Sequence, residues 1–157
     1  MSFAKLFQRI KDGFEPQSHR PENHHQPLQL ATAAVLLEIA YADGQFTPSE
    51  DGDVAGYLEK VFSLDEDSAR DLMRAGDEIR TRTIDHFELT NYIRHNTSLE
   101  ERLDMIKAMW RIVYADGRLS EYENYLVRKL ADLLGIEHHR MIDAKVAVLE
   151  ELGKSQA

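Results

Sequence analysis

Apolar residues recur along this chain at intervals of three and four over nearly its whole length, and no stretch alternates in the manner of a strand. Phe3, Leu6, Phe7, Ile10 and Phe14 form the first series, with Lys5, Arg9 and Lys11 on the other side. That spacing predicts an amphipathic helix over residues 1–14. Residues 15–27, EPQSHRPENHHQP, hold three of the four prolines and three histidines, and read as a linker. From Leu28 the helical pattern resumes. LQLATAAVLLEIAYAD is apolar around most of its circumference, with Glu38 as its only charge before Asp43, which marks a central, buried helix.

The helix starts and stops are equally local. Thr47-Pro48-Ser49-Glu50 combines a capping threonine, a proline at the first helical position and a glutamate that closes a capping box. The helix it opens runs to about Phe62. Further helices are expected over 63–81 and 84–94. Thr97-Ser98-Leu99-Glu100 reads as a second box, opening a helix that carries Leu103, Ile106, Met109, Trp110 and Val113 and ends at Asp116-Gly117. Ser120-Glu121-Tyr122-Glu123 is a third box, Gly135 a C-cap glycine, and a last helix covers roughly 137–152. The expected fold is all-α: a bundle of six to seven helices occupying residues 28–157.

A duplication organises this bundle. Residues 38–50, EIAYADGQFTPSE, align without a gap on residues 111–123, RIVYADGRLSEYE, at an offset of 73, with six of the thirteen positions identical. Each copy is a helix–loop–helix, so the expectation is two pseudo-symmetric repeats within one bundle rather than a solenoid, whose repeats are shorter. The loops also carry a chemical pattern. Asp-Gly-x-hydrophobic-Ser/Thr-x-x-Glu matches positions 5 to 12 of the Ca²⁺-binding helix–loop–helix, through Asp43 and Glu50 in one copy and Asp116 and Glu123 in the other. The acids of positions 1 and 3 are replaced by Ile39 and Tyr41, and by Ile112 and Tyr114. One loop therefore supplies too few oxygens for a hard cation, whereas four carboxylates brought together from both loops would suffice. The competing account needs no metal: Asp before Gly makes a turn, and the capping box explains each glutamate.

The repeated Tyr-Ala-Asp-Gly-x-hydrophobic-Ser/Thr-x-x-Glu, together with MWRIVYADGRLSEYENYLVRKLADLLGI, resembles the TerB-like tellurite-resistance family, in a largely uncharacterised bacterial branch. The resemblance covers roughly residues 28–149. It implies an internally symmetric helical bundle, divalent-metal binding through Asp43, Glu50, Asp116 and Glu123, a link to tellurite and general stress resistance, and complexes at the inner face of the membrane.

Composition narrows the chemistry. The 157 residues contain no cysteine, which removes disulfides and any handling of tellurite through thiols. The net charge is −9, from 28 acidic against 19 basic residues, so a strongly basic footprint for nucleic acid is absent and only a local patch is left open. No apolar run reaches the length of about 20 residues that a membrane span requires, and no signal-peptide core is present. His138 and His139 lack metalloprotease spacing, although His139 and Asp143 stand one turn apart. No catalytic fingerprint occurs. Trp110 reads as core, Tyr41 and Tyr114 as wedges between helices, and Arg128-Lys129 and Arg80-Thr81-Arg82 as solvated charges.

These readings converge on a non-enzymatic, cytoplasmic module that binds a divalent cation (Ca²⁺, Mg²⁺ or Mn²⁺, with no other cofactor) or a protein partner. The alternative is a purely structural interaction module whose acids only cap helices. Residues 1–14 are expected to dock on protein, in their own bundle or across a homodimer. Peripheral contact with a membrane surface is the competing role for their three basic residues, and the bundle's negative charge opposes it.

Overall fold

The computed structural model describes residues 26–42, 44, 46–82, 86–115 and 119–153. The expected helix over 1–14, the linker up to residue 25, and the loop aspartates Asp43 and Asp116 lie outside the described residues. Seven helices make up 82% of the described residues, and none of these is in a strand. They are α1 (Pro27–Ala40), α2 (Pro48–Phe62), α3 (Glu66–Arg82), α4 (His86–Asn96), α5 (Leu99–Val113), α6 (Glu121–Leu133) and α7 (His138–Glu151).

The all-round apolar helix is the centre of the bundle. Ten of the fourteen residues of α1 are buried, and α1 packs against α2, α3, α4, α5 and α6. Its closest neighbour is α3, where a glycine permits the approach: a Cβ built on Gly76 would stand 2.6 Å from Cβ of Ala33. The second central helix, α5, packs on α7, α2, α1 and α6. Trp110 of α5 is fully buried, and its indole N–H donates to the carbonyl of Met141 on α7 at 3.1 Å. The core reading of Trp110 therefore holds, and its polar edge is satisfied.

Two helix boundaries differ from the expectation. Ser63 does not open the third helix. It ends α2 in the left-handed conformation, with φ 53°, and Asp65 takes over the start of α3. Its carboxylate accepts the Ser68 N–H at 2.8 Å, a bond that holds the Asp65 carboxyl below its ordinary range. The box before α5 is shifted by one residue. Ser98, not Thr97, is the N-cap, and Glu101, not Glu100, closes the box. The Thr97 hydroxyl is engaged by α4, donating to the Ile93 carbonyl at 2.6 Å. Gly135 follows α6 with φ 74° as expected. An added Cβ there would also meet the Arg94 side chain at 3.0 Å.

Ion pairs fasten the C-terminal ends of the two central helices to α3 and α7. Glu38 of α1 lies 3.6 Å from Arg80 of α3 and 3.6 Å from His86 of α4. Arg111 of α5 makes a two-pronged pair with Glu151 of α7, at 2.7 and 3.1 Å. Arg80 also lies 4.4 Å above the Tyr41 ring, so it is a packed residue rather than the solvated charge the sequence suggests. The proximity of His86, followed by the charge of Arg80, holds the Glu38 carboxyl below its ordinary value in spite of its burial. A depressed carboxyl pKa stabilises the fold above the ordinary carboxylate range, and that contribution disappears as pH falls through the depressed value. Glu38→Gln is therefore expected to cost about 1 kcal/mol at pH 7 and progressively less as pH falls through the depressed value. Urea melts of both proteins across that range are the check.

Candidate functional site: the two acidic loops

The flanks of the two loops share their geometry residue by residue. α1 and α5 end at tyrosines with matching backbone, Tyr41 at φ −93°, ψ 4° and Tyr114 at φ −94°, ψ 2°. The N–H of the next residue bonds back in both: Ala42 to the Ile39 carbonyl at 3.1 Å, and Ala115 to the Ile112 carbonyl at 3.2 Å. Beyond the loops, Thr47 and Ser120 are N-caps in extended conformation. Each accepts from the N–H of the glutamate three residues on, at 3.2 Å for Glu50 and 3.0 Å for Glu123. Each glutamate returns the bond: one Oε1 accepts the N–H of Thr47 and the other that of Ser120, both at 3.0 Å. The capping account of the glutamates thus describes one oxygen of each carboxylate.

Capping does not account for where these carboxylates lie. Glu50 is 1% exposed and Glu123 2%. The box before α5 has the same hydrogen bonds, and its glutamate, Glu101, is exposed to solvent. A capping bond is available at the surface, whereas taking a carboxylate out of water costs several kcal/mol unless charge or hydrogen bonds compensate. Burial at both Asp-Gly loops, and not at the ordinary box, sets these two glutamates apart. If the glutamates only cap, Thr47→Ala and Ser120→Ala should each lower stability by about 1 kcal/mol, equally with added divalent cation and with chelator, as thermal melts would show.

The tyrosines before the loops differ in setting. Tyr41 packs edge-on against Phe46 with ring centroids 4.8 Å apart. Tyr114 leans on Trp110 at 6.3 Å, and burial pushes its hydroxyl pKa up. Among the described residues, no group of three or more histidine and acidic side chains is arranged to hold a metal ion. Asp43 and Asp116 stand outside that set. His138 and His139 are exposed, and His139 lies 3.5 Å from Glu137. Among the described residues, no helix is long and apolar enough to cross a membrane.

An all-helical bundle built around two central helices, each running into an Asp-Gly loop that ends on a buried capping glutamate, defines the class. The family model of tellurite resistance protein TerB matches residues 29–146, and the chain belongs to the TerB family. No curated protein and no solved structure is a significant match.

Proposed function

We propose that this TerB-family chain is a non-enzymatic module of the cytoplasm that binds a divalent cation through its two acidic loops, and that the bound state governs its contacts with protein partners in tellurite and stress resistance. The residues assigned to the cation are Asp43 and Glu50 of the first loop and Asp116 and Glu123 of the second. The observation that carries this reading is the burial of Glu50 and Glu123 beside an exposed glutamate in an otherwise identical capping box. Hard cations take carboxylate oxygens. When bound, the cation would supply charge neutralisation at the loops, and the capping bonds would hold the glutamates in fixed rotamers beforehand. The same reading treats the 73-residue repeat as two half-sites of one pseudo-symmetric unit.

Calorimetry of the metal-stripped full chain with Ca²⁺, Mg²⁺, Mn²⁺ and Zn²⁺ tests this. Saturable binding is expected for at least one hard cation, and its loss in the Asp43→Asn, Asp116→Asn double variant. At a hundred times Kd, binding to the folded state alone adds about 2.7 kcal/mol, so the cation should raise the melting temperature of the unmodified protein and not of the variant. Equal melting temperatures with millimolar cation and with chelator would leave the glutamates as structural caps in a pure interaction module.

A further inference from the structure

Away from the loops, a cleft of about 530 Å³ opens between α6 and α7. Its floor is apolar, with Ile136 and Met141. One wall is a single face of α6, since Tyr125, Arg128, Lys129 and Asp132 recur at helical spacing, and His138 stands opposite at the start of α7. Three features separate it from an ordinary surface recess.

The first is charge. Arg128, Lys129 and His138 are three neighbouring basic side chains on a chain of net charge −9. Surface cations on so acidic a protein have many carboxylates to pair with. Among the described residues these three make no ion pair and no side-chain hydrogen bond, although Asp132 is within one helical turn of both Arg128 and Lys129. The second is aromatic. Tyr125 is 58% exposed and its ring stacks on that of Tyr122, itself 52% exposed, with centroids 6.3 Å apart and planes 29° from parallel. Tyr125 lines the cleft and is more than half exposed, so an aromatic ring is available at its mouth. The third is size. The volume lies within the range of sites for small organic ligands, about 300–1,000 Å³, and exceeds what an inorganic anion would fill.

The unpaired Arg128 and Lys129 call for an anion, to which His138 can donate a hydrogen bond, the aromatic ring and apolar floor call for a planar ring, and Asp132 disfavours a bare polyanion while offering an acceptor to an exocyclic amine. We infer that the α6–α7 cleft is a binding site for a nucleoside phosphate, with the phosphates on Arg128, Lys129 and His138 and the base against Tyr125 and the Met141 floor. The site is independent of the acidic loops and needs no divalent cation.

The test is calorimetry and NMR on the full chain with three probes, ADP, adenosine and pyrophosphate, all in EDTA so that nothing is held through a cation on the loops. ADP is expected to bind saturably and more tightly than either fragment. The Arg128→Gln, Lys129→Gln double variant should weaken ADP by about tenfold or more. Tyr125→Ala should bring ADP down to the affinity of pyrophosphate. All three positions are exposed, and an unchanged melting temperature confirms that these variants fold. Absence of saturable ADP binding up to ~5 mM, a weak limit for a specific site, overturns the inference, as does ADP binding that survives the double variant. Pyrophosphate binding as tightly as ADP overturns the assignment of the base to Tyr125.

Discussion

Gly76→Ala is expected to weaken the fold by about 2–3 kcal/mol, and Gly76→Val to prevent stable folding, through overpacking. The direction is opposite to intrinsic helix preference, which favours alanine over glycine in a helix interior by about 1 kcal/mol. The added methyl would stand 2.6 Å from Cβ of Ala33 and 3.1 Å from the backbone nitrogen of Ala34. Neither obstacle is the end of a flexible side chain, so α1 and α3 must separate. Their contact is the most extensive in the bundle, and separation would loosen every residue packed between them. Chemical denaturation of Gly76→Ala beside a control substitution at exposed Gly56, where an added Cβ meets nothing within 4 Å, isolates the steric cost. The control is expected to be neutral or stabilising.

Trp110→Ala is expected to be the most damaging single truncation, at about 3–5 kcal/mol from lost burial and the cavity left behind. A further 1–3 kcal/mol would come from the Met141 carbonyl, whose buried bond from the indole N–H is removed. Trp110→Phe keeps a buried aromatic ring, removes the donor and leaves a smaller cavity where the five-membered ring stood. Its cost should be the smaller one. For a domain of this size each kcal/mol moves the melting temperature by roughly 2–4 °C. Trp110→Ala should therefore melt roughly 8–32 °C below the unmodified chain, and differential scanning calorimetry would read both shifts.

Residues 28–153 were legible in the sequence wherever the cause is local. Capping boxes act between residues three apart, so Thr47 with Glu50 and Ser120 with Glu123 could be assigned from spacing alone. The same reasoning slipped at Thr97 because Thr97 and Ser98 both suit a cap, and the choice was made by the Ile93 carbonyl of the preceding helix. The central place of α1 followed from its lack of a polar face. The burial of Glu50 and Glu123 was not legible, since a capping glutamate is equally compatible with the exposed setting of Glu101. Nor was the role of Arg80, which depends on Glu38, forty-two positions earlier, and on the Tyr41 ring. The α6–α7 cleft was hidden for the same reason. Arg128 and Lys129 read as solvated charges and are exposed, but that they line a recess against α7 depends on a helix later in the chain.

The ion pairs at the ends of the central helices bear on how the chain finds its own arrangement. Positions 38 and 111 correspond across the 73-residue offset and carry opposite charges, Glu38 and Arg111. Each meets its complement two helices later, Glu38 at Arg80 and Arg111 at Glu151. Two segments with the same loop and similar flanks invite mistaken exchange during folding, in which α1 docks on α7 or α5 on α3. In either mistake like charges would meet, Glu38 with Glu151 and Arg111 with Arg80. Each correct pair is worth little on its own, about 0–1 kcal/mol, but a wrong docking loses that and adds a repulsion of similar size. The reversed charges at positions 38 and 111 thus disfavour exchange of the two similar segments and leave one preferred way to assemble.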